Sequence, residues 1–113
     1  MMEFSSEKIS SYNLISLNGR LDTITSISFE KYLLNEIESN QSNFILDCKN
    51  LSYISSAGLR ILLLLSKKVK PLNGEVVLVG LQEQIEEVFR ISGFDALFRI
   101  HISVDEVINK SNQ

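Results

Sequence analysis

The sequence predicts an α/β domain built on a mainly parallel central sheet of four or five strands, with an antiparallel first strand and about four helices packed on it. Stretches with apolar residues at helical spacing alternate along the chain with short β-prone runs. Strands joined through helices usually lie parallel, with right-handed crossovers. The chain has 113 residues, of which 44% are hydrophobic, so we expect one domain, residues 1–113, with one compact core.

Short β-prone runs predict the strands. Residues 3–10 alternate weakly and fit an edge strand, whereas the run from Tyr12 to Leu17 ends at Asn18-Gly19, a pair typical of turns. The continuous apolar run Phe44–Leu46 is typical of a strand buried on both faces. The polar stretch Asp47–Ser55 after it predicts a loop. The two remaining strands are predicted at Glu75–Gly80 and Arg99–Ile102.

Four other stretches predict helices. Asp22 or Thr23 is a candidate N-cap for the first helix, in which apolar residues recur every four positions. The second helix begins near Ser56 and is apolar nearly all round, so we expect it to be buried on more than one side. The last two helices are predicted at Gln82–Ser92, closed by Gly93, and from Ser103 onward.

The charge balance and hydropathy narrow the class of protein. Fourteen acidic residues against eleven basic ones give a net charge of -3, whereas nucleic-acid binders usually carry a basic excess. The longest apolar run, Ile61–Leu65, is far shorter than the ~20 residues that a membrane span needs. The N-terminus lacks the pattern of a signal peptide. We therefore expect a cytoplasmic protein with no membrane span and no direct nucleic-acid contact.

Few residues have the chemistry of a catalytic or metal site. Cys48 is the only cysteine and His101 the only histidine, and both positions favour structural roles. Neither a phosphate-binding P-loop nor a dinucleotide fingerprint is present. Asp22 and Asp47 could form a carboxylate pair, although capping and turn roles explain them better. The sequence therefore predicts neither enzymatic activity, nor a cofactor, nor a metal.

The start of the second helix, Ser55-Ser56-Ala57-Gly58, has the features of a phosphorylation switch. A phosphate there would face unpaired backbone N–H groups and the positive end of the helix dipole. Small neighbours would let the active site of another protein approach the hydroxyl. The alternative is purely structural, because serine is a preferred N-cap and needs no further function there. Glycine weakens a helix, so Gly58 indicates a requirement for packing or access.

Three segments of the chain carry a family pattern: Phe44–Leu59, Gly19–Asp22 and Phe89–Phe94. Together they resemble the STAS domains, the family of bacterial anti-sigma factor antagonists, over nearly the whole chain. In that family a serine at the start of the second helix is phosphorylated by a partner that is both anti-sigma factor and kinase. The resemblance implies that the unphosphorylated form binds this serine kinase and frees a sigma factor, and that a phosphatase resets the switch.

By position in the family pattern, Ser56 is the implied phosphate acceptor, with Ser55 as the alternative. Ser55 stands where the family often has an aspartate, and Ala57 stands where a second serine is common. The resemblance also implies a partner-binding surface made of the following residues: Asp22, Asp47, Ser55, Ser56, Ala57 and Gly58. Two other roles stay open at this point, namely an accessory subunit of a lipid or anion transport system and a scaffold in a stress-signalling complex.

Overall fold

The computed structural model describes residues 2–111, which form one five-stranded sheet flanked by four α-helices. The strands are β1 (Met2–Ile9), β2 (Tyr12–Leu21), β3 (Asn43–Ile54), β4 (Glu75–Val79) and β5 (Arg99–His101). The helices are α1 (Thr23–Glu38), α2 (Ser56–Val69), α3 (Glu83–Ser92) and α4 (Val104–Ser111). Short 3-10 turns follow α2 at Lys70–Leu72 and α3 at Phe94–Ala96.

The strands lie in the sheet in the order of the sequence, β1-β2-β3-β4-β5. The first pair is antiparallel, and the three pairs that follow are parallel. Each parallel pair is joined through a helix, because a parallel neighbour can be reached only by a crossover. The predicted fold class, including the antiparallel first strand, is confirmed.

The two faces of the sheet are covered unequally. Helices α1, α2 and α3 supply Phe29, Leu62 and Phe89 to the larger core, where all three side chains are fully buried. Helix α4 covers part of the opposite face with Val107. His101 of β5 contacts the Glu106 carboxylate of α4, which gives this histidine a structural role. Three helices therefore fix one face of the sheet, and a single short helix covers part of the other.

Two predictions about the first half of the sheet are wrong. Asn18-Gly19 lies inside β2 rather than in a turn, and Asp47–Ser55 is not a loop because β3 continues to Ile54. The two strands stay paired there, with Asn18 opposite Asn50 and a register shift on either side. Such irregularities let extra residues bulge out of the ladder, which destroys the strict alternation by which a strand is recognised in a sequence.

The carboxyl ends of β2 and β3 project beyond β4, because these two strands are longer than β4 and longer than the sequence predicted. The last paired residues of β3 and β4 are Asp47 and Val79, whereas β2 and β3 stay paired as far as Leu21 and Ile54. Helices α1 and α2 each begin within two residues of these last two positions. The N-termini of both helices therefore lie side by side at the carboxyl ends of the central strands β2 and β3.

Candidate functional site

Asp22 forms the N-cap of α1. Its Oδ1 accepts hydrogen bonds from the backbone N–H groups of Ile24 at 3.1 Å and Thr25 at 2.9 Å. The Asp22 N–H in turn donates to Thr25 Oγ1 at 2.9 Å, which completes a capping box. The hydrogen bond from the Thr25 N–H is the main reason that the pKa of the Asp22 carboxyl lies below its usual range. The predicted capping role of Asp22 is confirmed.

Ser55 forms the N-cap of α2 and ties that helix to β2. Its Oγ accepts a hydrogen bond from the Gly58 N–H at 3.1 Å. Its own N–H donates to the carbonyl oxygen of Leu21 at 2.9 Å, directly before the cap of α1. One hydrogen bond therefore sets the position of the second helix start relative to the first.

Gly58 is buried where α2 packs against the ends of β2 and β3. A Cβ atom at this position would lie 2.8 Å from Ile54 Cγ1 and 2.9 Å from both Leu21 Cγ and the Leu21 carbonyl oxygen. The last of these atoms belongs to the backbone and cannot move aside by a change of rotamer. Of the two requirements that the sequence indicated at Gly58, the structure shows the one for packing.

Ser56 occupies the first position of α2, and its side chain is exposed. Within residues 2–111, no hydrogen bond involves its hydroxyl group. The backbone N–H groups of Ser56 and Ala57 also lack an acceptor within the helix, as the first N–H groups of any helix do. The next side chain in the helix is only the methyl group of Ala57, which is half-buried and leaves the Ser56 hydroxyl uncovered on that side. Ser56 is thus an accessible hydroxyl beside unpaired donors at a positive helix end.

Two exposed isoleucines lie in the first two turns of α1, and the sequence analysis missed them. The side chains of Ile24 and Ile27 are 79% and 70% exposed. They stand outside the apolar stripe of α1, which buries Phe29 and Leu33. That departure from the stripe is the signal by which the sequence could have revealed them. Large apolar side chains left exposed together are typical of a protein contact surface.

Asp47 lies apart from the other predicted site residues. It pairs with Ser16 and Val79 in the middle of the sheet. The seven residue steps from Asp47 to Ile54 correspond to about 20 Å of strand. Asp47 instead accepts a hydrogen bond from the Lys49 N–H at 3.2 Å. The structure therefore brings together Asp22, Ser55, Ser56, Ala57 and Gly58 without Asp47, and it does not form the carboxylate pair considered from the sequence.

Cys48 is buried as a small hydrophobic side chain, as the sequence predicted. Its burial raises the pKa of the thiol to about 12, so the nucleophilic thiolate is scarce near neutral pH. No group of three or more potential metal ligands occurs among the described residues. Over the same residues, no helix is both long and apolar enough to cross a membrane.

The family model of the STAS domain matches residues 3–107, and the chain therefore belongs to the STAS domain family. A Bordetella bronchiseptica protein named "Putative anti-sigma factor antagonist BtrV" is 34% identical over 99 residues. That match covers 88% of this chain and 85% of the relative. The family resemblance seen in the sequence is confirmed.

Solved structures with low sequence identity share the whole fold. An anti-sigma factor antagonist from Mycobacterium paratuberculosis superposes with a TM-score of 0.88 at 17% identity, covering 100% of this chain and 96% of the other. The Bacillus cell fate determinant SpoIIAA in its phosphorylated form gives a TM-score of 0.77 at 20% identity, covering 96% and 99%. At these identities the likeness concerns the fold alone.

Proposed function

We propose that this protein is an anti-sigma factor antagonist whose binding to a serine kinase anti-sigma factor is switched by phosphorylation of Ser56. The observation that carries the proposal is the exposed, unpaired Ser56 hydroxyl at the first position of α2 in a STAS domain. The name of the Bordetella relative supports the same class of function. The unphosphorylated form binds the kinase in the cytoplasm and frees a sigma factor, and a phosphatase reverses the switch.

The modification step is a phosphoryl transfer from ATP bound to the partner. Ser56 Oγ attacks the γ-phosphorus, so a new Oγ–P bond forms while the bond to the β,γ-bridging oxygen breaks and ADP leaves. A base of the partner takes the hydroxyl proton. Among the described residues of this chain, the serine is the only group the step requires. The antagonist is thus a substrate of the kinase and needs no catalytic group of its own.

Ser56 is a better acceptor than Ser55 for a geometric reason. The Ser55 oxygen already accepts the hydrogen bond that caps α2, and its side chain is half-buried. A phosphate on Ser55 would have to replace that cap and enter the contact with β2. Ser56 is exposed and can be modified with the helix start left intact.

Phosphorylation changes a contact surface that we define as Ile24, Ile27, Ser56 and Ala57. The two isoleucines, in the first two turns of α1, give this surface apolar area to bury. Ser56 lies at the start of α2, which the hydrogen bond from Ser55 to Leu21 holds next to the start of α1. A phosphate adds about -1.5 to -2 charges that a bound partner would have to desolvate. Binding is therefore lost through charge and hydration, with no need for a change of backbone.

The direct test is incubation of the protein with its cognate kinase and ATP, followed by intact-mass and peptide mass spectrometry. We expect one phosphate, located at Ser56, and none on a Ser56→Ala variant. Ser55→Ala serves as the matched control, because it removes the neighbouring hydroxyl and should leave the phosphate in place. Phosphorylation that persists in Ser56→Ala would overturn the site.

Co-purification from the native host separates this function from the two alternative roles. Recovery of a kinase supports the antagonist. Recovery of a transport ATPase or permease would favour an accessory subunit of a transport system instead. A stable assembly of high mass on size-exclusion chromatography, without a kinase, would favour a scaffold.

A further inference from the structure

Arg60 lies one helical turn after the switch serine, on the same side of α2. Four residues along a helix correspond to a rise of about 6 Å and a rotation of about 40°. The core-facing residues of α2 include Gly58, Ile61 and Leu62, so Ser56 and Arg60 both lie on the outward side. Both side chains are exposed. Pairs at this spacing are the ones whose side chains meet on a helix surface.

The direction of the Arg60 side chain favours a contact with Ser56. Side chains on a helix lean toward its N-terminus, so a guanidinium at this position can reach back over the preceding turn. An acidic group four residues before a basic one is also the favourable order on a helix. Because Ser56 carries no charge before modification, Arg60 has nothing at that position to pair with until a phosphate is added.

Arg60 is available for such a contact. No ion pair joins it to another described residue, whereas Arg20, the other arginine near this edge of the sheet, lies 4.1 Å from the ring centre of Tyr53 in a cation–π contact. Glu30 of α1 lines the same groove as Arg60 without forming an ion pair with it. Arg60 is thus the free cation nearest in sequence to Ser56 within the described residues.

We propose that Arg60 captures the phosphate on Ser56 and holds it at the N-terminus of α2. This inference rests on the proposed function, since it concerns the phosphorylated state. The planar guanidinium can donate two parallel hydrogen bonds to phosphate oxygens, while the unpaired N–H groups of Ser56 and Ala57 donate from the helix side. Phosphorylation therefore also withdraws Arg60 from the surface that a partner would meet. In this chain the switch changes two groups at once: a phosphate is added at Ser56, and the Arg60 cation becomes paired.

The test uses protein in which phosphoserine is inserted at position 56 during translation, so that it does not depend on any kinase. The second pKa of the phosphate, about 6 for a free phosphoserine, is measured by phosphorus NMR titration. Arg60 favours the dianion, so its pairing lowers this pKa. In Arg60→Gln we expect the pKa to rise by about 0.2–0.7, the range that couplings of exposed ion pairs correspond to.

Lys67 provides the matched control. It is an exposed cation on the same side of α2 and lines the same groove, but it lies about 16 Å farther along the helix than Ser56. Lys67→Gln should leave the phosphate pKa unchanged, and Arg60→Lys should keep most of the lowering because it keeps the charge. The difference between wild type and Arg60→Gln should shrink as the salt concentration rises.

The outcomes separate this inference from the proposed function. An equal phosphate pKa in wild type and Arg60→Gln would overturn the capture by Arg60, and so would an equal rise in Lys67→Gln, which would indicate general charge alone. Neither result touches the kinase assay, which tests Ser56 as an acceptor. A raised pKa in Arg60→Gln alone supports the capture even where the kinase assay fails.

Discussion

Glu75 at the amino end of the sheet and Ser56 and Arg60 at its carboxyl end differ in how they are paired with other side chains. At the amino end, the Glu75 carboxylate accepts a hydrogen bond from Tyr12 at 2.6 Å and two from Arg99 at 2.8 and 2.7 Å. At the carboxyl end, Ser56 and Arg60 are exposed and make no such contact with a described residue. The paired cluster joins β2, β4 and β5, whereas the unpaired groups lie where a partner can reach them. At the carboxyl end Asp22 and Ser55 cap their helices, and Ser56 and Arg60 are the side chains left for binding.

The protonation chemistry of Glu75 follows from that pairing. Partial burial raises the pKa of its carboxyl, but the hydrogen bonds from Tyr12 and Arg99, together with the charge of Arg99, outweigh burial and leave the pKa below its usual range. The hydrogen bonds to Glu75 raise the pKa of Arg99 in the same way. Both groups are therefore held in their charged forms near neutral pH, as a structural ion pair requires.

Gly58→Ala should have the largest effect on stability, because it disturbs the packing that positions the carboxyl end. The added methyl group meets the Leu21 carbonyl oxygen and the Ile54 side chain, and overpacking of this kind costs about 1–3 kcal/mol. The better helix propensity of alanine offsets up to ~1 kcal/mol of that cost. We expect a net loss of roughly 1–2 kcal/mol in urea denaturation. Ser56→Ala is the neighbouring control and should stay close to wild type.

Glu75→Gln tests the amino end. It replaces charged hydrogen bonds with neutral ones and should lower the free energy of unfolding at pH 7 by about 0.5–1 kcal/mol, since the cluster is partly screened by solvent. The folded-state pKa of Glu75 is lowered, so this stabilisation is present above the unfolded pKa near 4.3 and is lost as the pH falls through the lower folded value. Glu87→Gln, on the exposed side of α3, removes a surface carboxylate that forms no ion pair with another described residue and should unfold close to wild type at pH 7. A constant difference between wild type and Glu75→Gln down to pH 2 would contradict the account.

Asp22→Ala should have the smallest effect. It removes a half-buried cap and should lower the midpoint of thermal unfolding by a few degrees at neutral pH. Because the folded-state pKa of Asp22 is lowered, the loss should fade as the pH drops through that value. Asp22→Asn keeps an oxygen acceptor and should recover most of the midpoint at neutral pH. If Asp22→Asn unfolded at the same lowered temperature as Asp22→Ala, the capping role would be wrong.

Local patterns were enough to predict most of the fold. The β-branched run before Gly80 predicts β4, and the spacing of Phe29 and Leu33 predicts α1, because each element buries one regular set of side chains. The second half of β3 was missed because its buried residues, Leu51 and Ile54, are three apart where the strand bulges. Where a strand bulges, its buried residues no longer alternate with exposed ones, so the sequence pattern does not reveal the strand.

The candidate site was predictable in part. Serine before a helix and the family pattern indicate Ser55 and Ser56, and both lie at the start of α2. The close approach of Gly58 to Leu21 could not be predicted from the sequence. It joins residues 37 positions apart that meet only when β2 and β3 pair to their ends. The resemblance implied Asp47 as a partner-binding residue within the predicted loop Asp47–Ser55. The structure places Asp47 inside β3, seven residues before that strand ends.

The central claim is that the charge on Ser56 decides whether the partner binds. The most direct measurement is the affinity of the cognate kinase anti-sigma factor for the unmodified protein and for protein carrying phosphoserine at position 56, by isothermal titration calorimetry. We predict tight binding of the unmodified form and a Kd at least about tenfold weaker for the phosphorylated form, which corresponds to about 1.4 kcal/mol. Equal affinity of the two forms would contradict the claim.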